Sequence, residues 1–557
     1  MPTGLLTRGA IDRLVLSPAE QEAIKHFLDN DHPATASSQP IANKLREVAL
    51  GLGYSDHQLA NQNLLRQIAQ LLFRRFCGVA DTPRQTSGTH PLAYGTPIGR
   101  WTRGNLSISV DATGCKGVTA ADVDQLTWDA YMQYQAVCPF FSFRHVDSGG
   151  DLHLKFGDSS LDSRLGNGAI GVGAAPPHGD LYLDIGAIWT PDLLLAVLLH
   201  EAGHTLGLGH STSRKALMYP AAPLTRVLDP ETIEAIRSLY DWQPQIPLPN
   251  RASSHAPSMA NVTQPALFGP ASETLYMAWK GTVGDSGLYF ASSADGVAWT
   301  PQQKIPNTGS SHGPSLVAYH PPSAAGTLRA GLFMAWKGVG DDHNIYWARN
   351  PALTGWTGQQ RIAVGTSERP ALVEFGGTLV LAWKGLPGDS GIYWSTFDGA
   401  NAWSPQQLIA GRGTSSGPAL AVYNGELHMF WKGVSGDNNA WHARLVDPAN
   451  RIWGPQEKIA FIDAGDLSSG ETPVPIGTSD ALVATQRGNE LVLAWKGIPG
   501  DHALWFSRYR DGEFSGQMSV PNVGSEAGPA IALLGGKLVL AWRGIGDDHN
   551  LWMSSLG

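Results

Sequence analysis

The sequence predicts a multidomain chain in three parts: an α-helical N-terminal segment, an α+β domain, and an all-β array of about six repeats. Three observations carry this. The chain has 557 residues, too many for one ordinary domain. Apolar residues fall at helical spacing before residue 82 and in a mixed pattern from residue 100 to 243. From residue 255 onward the phrase Ala-Trp-Lys-Gly recurs with small changes, centred on Trp279, Trp336, Trp383, Trp431, Trp495 and Trp542.

Residues 1–82 suggest three short amphipathic helices. Ser17-Pro18-Ala19-Glu20 is a capping pattern ahead of Ile24, Phe27 and Leu28. A second helix is expected over Ile41–Leu50 and a third around Leu64–Leu72. Residues 83–99 are rich in Pro, Gly, Ser and Thr, the composition of an exposed loop open to proteolysis.

The α+β part, residues 100–243, is expected to place strands at 106–110, 141–146, 152–156 and 181–183. Helices are expected at 120–136, 192–208 and 231–240. Residues 244–254 continue the Pro-rich stretch that begins at Trp242 and suggest a linker.

Residues 255–557 repeat with a period of about fifty residues, which at four strands per copy is the pattern of β-propeller blades. Each copy continues into a Gly-Asp step, at Asp285, Asp341, Asp389, Asp437, Asp501 and Asp547, and then an aromatic strand. The sixth copy lacks its fourth strand, and a strand near residues 252–263 is expected to close the ring. The repeated Trp-Lys-Gly is expected to serve packing, because a residue kept in every copy does so first. Ser293-Ala294-Asp295-Gly296 with Trp299, and Asp398-Gly399 with Trp403, resemble loosened Asp-box turns of sialidase-like or lectin-like propellers.

Apolar residues make up 42 % of the chain and charged residues 16 %, which excludes long disorder. A net charge of −9 leaves no basic footprint for nucleic acid. No apolar run spans a bilayer, and the first residues lack the apolar stretch of a secretory signal. A monomer is expected. The cysteines are Cys77, Cys115 and Cys138, one pair and one left over in an oxidising compartment.

The chemistry lies in His200-Glu201-Ala202-Gly203-His204-Thr205-Leu206-Gly207-Leu208-Gly209-His210. On a helix His200 and His204 leave the same face and can share one metal. Gly207 permits a sharp turn that brings His210 round as third ligand. Three neutral nitrogens leave a fourth zinc position to water, and Glu201 is placed as its general base.

These residues resemble the metzincin zinc endopeptidases, and their matrixin (matrix metalloproteinase) branch in particular, over residues 60–243 and most specifically 179–220. Met218, followed by Tyr219 and Pro220, stands where the family's methionine turn falls. The resemblance implies one catalytic zinc on His200, His204 and His210, protein or peptide substrates, and a secreted protein. It implies a substrate edge strand at Gly179, Asp180, Leu181 and Tyr182, and a pocket wall at Tyr219 and Pro220. Cys77, with Gly78 and Asp81 at the family's spacing, implies a cysteine switch: a propeptide over 1–82 whose thiolate blocks the zinc, and an activation loop over 83–99. Phe76 and Ala80 replace family residues around it. Cys115 and Cys138, which flank the domain's first helix, are then open to pairing.

The family's second zinc site is reduced to His153 and His178, too few for a closed site. Calcium on Asp158, Asp180 or Asp184 has no loop pattern to support it. The propeller is expected to dock substrate, glycans or an extracellular protein. The rival reading is a lectin-like adhesion protein with a vestigial protease domain; a sialidase-like glycosidase is weaker, since arginines are few and scattered.

Overall fold

The computed structural model describes residues 98–557, apart from 166–168, 212–215, 220–224, 265–270, 321–329, 400–401, 463–472, 511 and 516, together with residues 46, 50, 55 and 57. The helices expected within 1–82, Cys77, most of the 83–99 loop and Pro220 therefore lie outside the described residues. Two units divide between Asp241 and Trp242.

The first unit is built on a five-stranded sheet. Its strands are β1 (Asn105–Asp111), β2 (Ser142–His145), β3 (Leu152–Gly157), β4 (Gly171–Gly173) and β5 (Asp180–Asp184), in the order β2-β1-β3-β5-β4. All pairs are parallel except β4 with β5. Among the described residues three helices accompany it: α1 (Ala120–Val137), α2 (Pro191–Thr205) and α3 (Pro230–Tyr240). Alternate residues of β3 and β5 (Leu152, Leu154, Leu181, Leu183) are buried, and they join Val123, Tyr131 and Tyr134 of α1 and the apolar run of α2 in one core. Helix α2 is apolar nearly all round, so it runs through that core. Thr190 caps its N-terminus by accepting from the Leu193 N–H.

Two expectations change here. Strand β4 was not anticipated: three residues containing two glycines carry no strand signal in sequence. The helix expected over 192–208 stops at Thr205, because Gly207 takes a φ of 101° and cannot continue it.

The second unit is a propeller of six blades, as the repeats predict. In the first blade the strands are Ser258–Gln264, Ser272–Lys280, Leu288–Ser293 and Gln303–Lys304. The sixth blade is completed by Ile246–Ala252, paired antiparallel with Asn550–Leu556. The closing strand thus lies upstream of the position expected, in the stretch taken for a linker. Pro247 and Pro249 suit an outermost strand, where a missing N–H costs no ladder bond. The six repeated tryptophans are each at most 1 % exposed, and neighbouring blades share core clusters.

The repeat's charged residues are spent on the fold. Lys280, Lys337, Lys384, Lys432 and Lys496 donate from Nζ to a serine of the loop entering each blade and to the carbonyl of its turn aspartate. The turn aspartate accepts from the aromatic residue four positions on, as in Asp285–Tyr289 at 2.8 Å and Asp501–Trp505 at 2.7 Å. In the two Gly-Asp-Asp copies the bond is made by Asp342 and Asp548, not by Asp341 and Asp547. The glycine before each turn is required because a Cβ there would strike the aspartate, at 2.3 Å from Asp285 Oδ2 in the case of Gly281.

Candidate metal centre

His200 and His204 lie one turn apart on α2, with their Nε2 atoms 3.1 Å from each other. Beyond Thr205 the backbone reverses. Gly207 permits this in two ways: its positive φ, and its approach to Gly99, whose carbonyl oxygen a Cβ would meet at 2.3 Å. The reversal brings His210 Nε2 to 3.2 Å from His204 Nε2. Among the described residues this trio is the one group of three or more His, Cys, Asp or Glu ligand atoms close enough to hold an ion. Asp158, Asp180 and Asp184 form no such group, nor do His153 and His178.

In His200 and His204 the other ring nitrogen is held by backbone. His200 Nδ1 lies 2.7 Å from the Leu217 carbonyl and His204 Nδ1 lies 2.7 Å from that of Leu208. A carbonyl only accepts, so each Nδ1 carries the proton and each Nε2 presents a lone pair to the centre. Burial, then the neighbouring His210 and His200, push the basicity of His204 well below the usual range, which keeps it in the neutral ligand form.

The donor set fits zinc. Bonds of about 2.05 Å at tetrahedral angles would set nitrogens about 3.3 Å apart. The observed 3.1 and 3.2 Å edges match this.

Glu201, fully buried, follows the first ligand. Strand β4 lies directly over it. A Cβ on Gly171 would sit 2.7 Å from Glu201 Oε1, and one on Gly173 would sit 2.8 Å from the Cβ of His204. Only glycines at these alternate positions let the strand rest on the helix. Among the described residues the outermost strand of the sheet beside the trio is therefore Gly171–Gly173. The segment Gly179 to Tyr182, expected at that edge, is one strand further in: Leu181 pairs with Gly173 on one side and Leu154 on the other. The sheet's crossing order, not visible in sequence, put β4 outside β5.

Met218 is buried beneath α2. A Cβ on Gly203 would lie 2.5 Å from its Sδ and 2.7 Å from the Tyr134 hydroxyl, so the glycine at 203 makes room for the turn. Ser211 N–H donates to the Met218 carbonyl at 2.8 Å, tying the segment after the third histidine to that turn. Tyr219 is buried beside it. Asp229, which sequence reasoning passed over, caps α3 and also accepts the Leu217 N–H at 2.8 Å. The Asp-Pro-Glu start of the helix was the available signal. Cys115 and Cys138 are both free; Cys138 donates to Asp241 at 3.8 Å and burial pushes its thiol up to about 12.

A histidine triad on a helix and the segment after it, an adjacent glutamate under a sheet strand, and a methionine-bearing turn below make one buried group able to hold a metal ion. Residues 100–241 match the family model described as Matrixin, and the chain carries a matrixin domain followed by a six-bladed propeller.

Metalloendoproteinase 1-MMP of Arabidopsis thaliana is 31 % identical over 204 residues, covering 32 % of this chain and 56 % of that protein. Stromelysin-1 of Rattus norvegicus is 26 % identical over 258 residues, 43 % of this chain and 52 % of its own. Neutrophil collagenase of Homo sapiens is 26 % identical over 253 residues, 42 % and 51 %. The chain thus spans about half the length of the curated relatives it matches. The solved alpha-L-arabinanase of Penicillium chrysogenum, complexed with arabinobiose, aligns with 56 % of this chain and 98 % of its own at a TM-score of 0.42 and 14 % identity, too distant to carry an argument.

Proposed function

We propose that this chain is a latent zinc endopeptidase that cleaves protein substrates, with a docking propeller behind its catalytic domain. The convergence of three buried imidazole nitrogens beside Glu201, under the outermost strand of the sheet, carries the reading. Zinc held by His200, His204 and His210 would polarise a water and the scissile carbonyl. Glu201 takes the proton from that water as its oxygen adds to the carbonyl carbon, and delivers it to the amine nitrogen as the C–N bond breaks. The substrate backbone lies extended along the outer edge of β4, which offers its peptide groups as a strand partner. Met218 is a packed floor under the ligands and not a ligand itself.

Cys77 supplies latency in this reading, since a thiolate is a good fourth ligand for zinc and displaces the water. Cutting within residues 83–99 would release it. A secreted protein suits this chemistry; among the described residues no helix is long and apolar enough to cross a membrane. A lectin-like protein with an inert protease domain is the second reading, favoured only by the size of the propeller.

Hydrolysis of casein or a quenched peptide by the full chain, before and after a thiol-modifying mercurial, tests the proposal. Activity that appears on treatment and vanishes with a zinc chelator supports it. Silence in both states with zinc bound transfers the function to the propeller.

A further inference from the structure

The first strands of the six blades contact one another in a closed ring, and each is entered by a loop of the same construction. A Ser or Thr hydroxyl accepts the N–H of the residue two positions on: Ser253 from His255, Ser310 from His312, Thr366 from Glu368, Thr414 from Ser416, Thr478 from Asp480, Ser525 from Ala527, all at 3.1–3.2 Å. This turn places the second residue of each pair at an equivalent point on the rim of the ring. The backbone is repeated six times while the side chains differ. Residues kept in every copy serve packing first; these positions vary from copy to copy, and they are polar in five of six blades.

Neighbouring rim residues approach one another. The rings of His255 and His312 are 5.2 Å apart between centroids. His312 Nε2 lies 3.7 Å from Glu368 Oε2. Arg369, next to Glu368, reaches from the third blade to donate to the Pro257 carbonyl of the first at 3.2 Å. Asp480 accepts from Gly528 N–H of the following blade at 2.7 Å. His312 and Glu368 are 26 % and 31 % exposed, so solvent reaches them.

We propose that this axial rim binds a neutral sugar unit, through hydroxyl contacts to His255, His312, Glu368, Arg369 and Asp480. The chemistry of the groups selects the ligand class. Burial holds both histidines down to about 4, so they are neutral at pH 7. Each has its Nδ1 beside a serine hydroxyl, and His312 turns its Nε2 toward Glu368. Burial, and then Asp480, push Glu368 up to about 7. Arg369 faces Asp480, and Lys280 and Lys337 beside the rim face the turn aspartates Asp285 and Asp342, so positive and negative groups alternate. An anion would find carboxylates opposing it. A metal would need three ligand atoms within reach, and these residues provide no such group. Donors and acceptors interleaved among groups of both signs suit vicinal hydroxyls.

This inference rests on the docking role proposed for the propeller and is independent of the peptidase. The probes are glucose, galactose, mannose, xylose and N-acetylglucosamine, each at 10 mM or below, followed by saturation-transfer NMR on the full chain. At least one should give signal, weakened tenfold or more by Glu368→Gln and by His312→Ala, with thermal unfolding and peptide hydrolysis unchanged. Xylan and ovalbumin, competed by the free sugar, distinguish a polysaccharide source from a glycoprotein source. Absence of signal from all five sugars overturns the proposal. So does a signal that survives both rim variants but is lost in Trp403→Ala, which would move binding to the cleft lined by Thr396, Trp403 and Arg451.

Discussion

Asp229 and His200 are joined through a single peptide unit each side of Leu217: the Asp229 carboxylate accepts the Leu217 N–H at 2.8 Å, and the Leu217 carbonyl faces His200 Nδ1 at 2.7 Å. The same carboxylate caps α3 through the N–H groups of Glu231 and Thr232. One side chain thus sets a helix start and, two bonds removed, the orientation of a metal ligand. Asp229→Ala is expected to cost about 1–2 kcal/mol of stability and to weaken zinc binding on the order of 10-fold. Chelator competition alongside thermal unfolding checks both. A fall in stability with zinc affinity untouched would leave Asp229 a helix cap only.

Glu201→Ala should retain zinc, since the carboxylate is not among the ligands, and lose peptide hydrolysis by roughly 10²–10⁴-fold. Metal content and turnover measured on one preparation decide this. Comparable turnover in the variant would remove Glu201 from the proton path.

Gly203→Ala is the smallest change that disturbs the floor of the site. Its Cβ would fall 2.5 Å from Met218 Sδ. We expect a loss of about 1–3 kcal/mol from overpacking, read as a lowered unfolding midpoint. A neutral result would show that the methionine turn gives way without cost.

Cys77→Ser should make the full chain active without cleavage, because a hydroxyl is a far poorer zinc ligand than a thiolate. Peptide hydrolysis before any proteolysis is the measurement. If the variant is as silent as the parent, the switch assignment is wrong.

The propeller should weaken in acid. His428 and His442 are 1 % and 3 % exposed and hydrogen-bonded at 2.9 Å. Burial lowers them to about 4 and about 3. The unfolded chain, with ordinary values near 6.5, binds protons that the native state refuses. Stability is therefore complete above about pH 6.5 and falls as pH drops toward 4, by up to about 1.4 kcal/mol per unit for each histidine. Urea unfolding followed by tryptophan fluorescence should show this slope, and His442→Phe, set among Phe430, Tyr509 and Phe514, should flatten it. An equally steep profile in the variant would assign the loss to other groups.

What the chain alone determined is what local spacing can encode. Histidines four apart on an apolar helix, with a glycine and a third histidine after it, converge because the helical repeat and one turn place them. Five copies of Trp-Lys-Gly and one of Trp-Arg-Gly specify six blades because the repeated tryptophan packs against the preceding blade, as Trp336, Trp383 and Trp431 do. Tertiary structure decided whatever depends on which strand lies beside which. Leu181 has a strand on either side, so the outermost place among the described residues passes to Gly171–Gly173, whose glycines have a purpose only when Glu201 and His204 lie beneath them. Ile246–Ala252 closes the ring because its partner, Asn550–Leu556, stands some three hundred residues away in sequence and adjacent in space. His255, His312, Glu368 and Asp480 meet for the same reason: a closed ring brings together side chains that no local pattern relates.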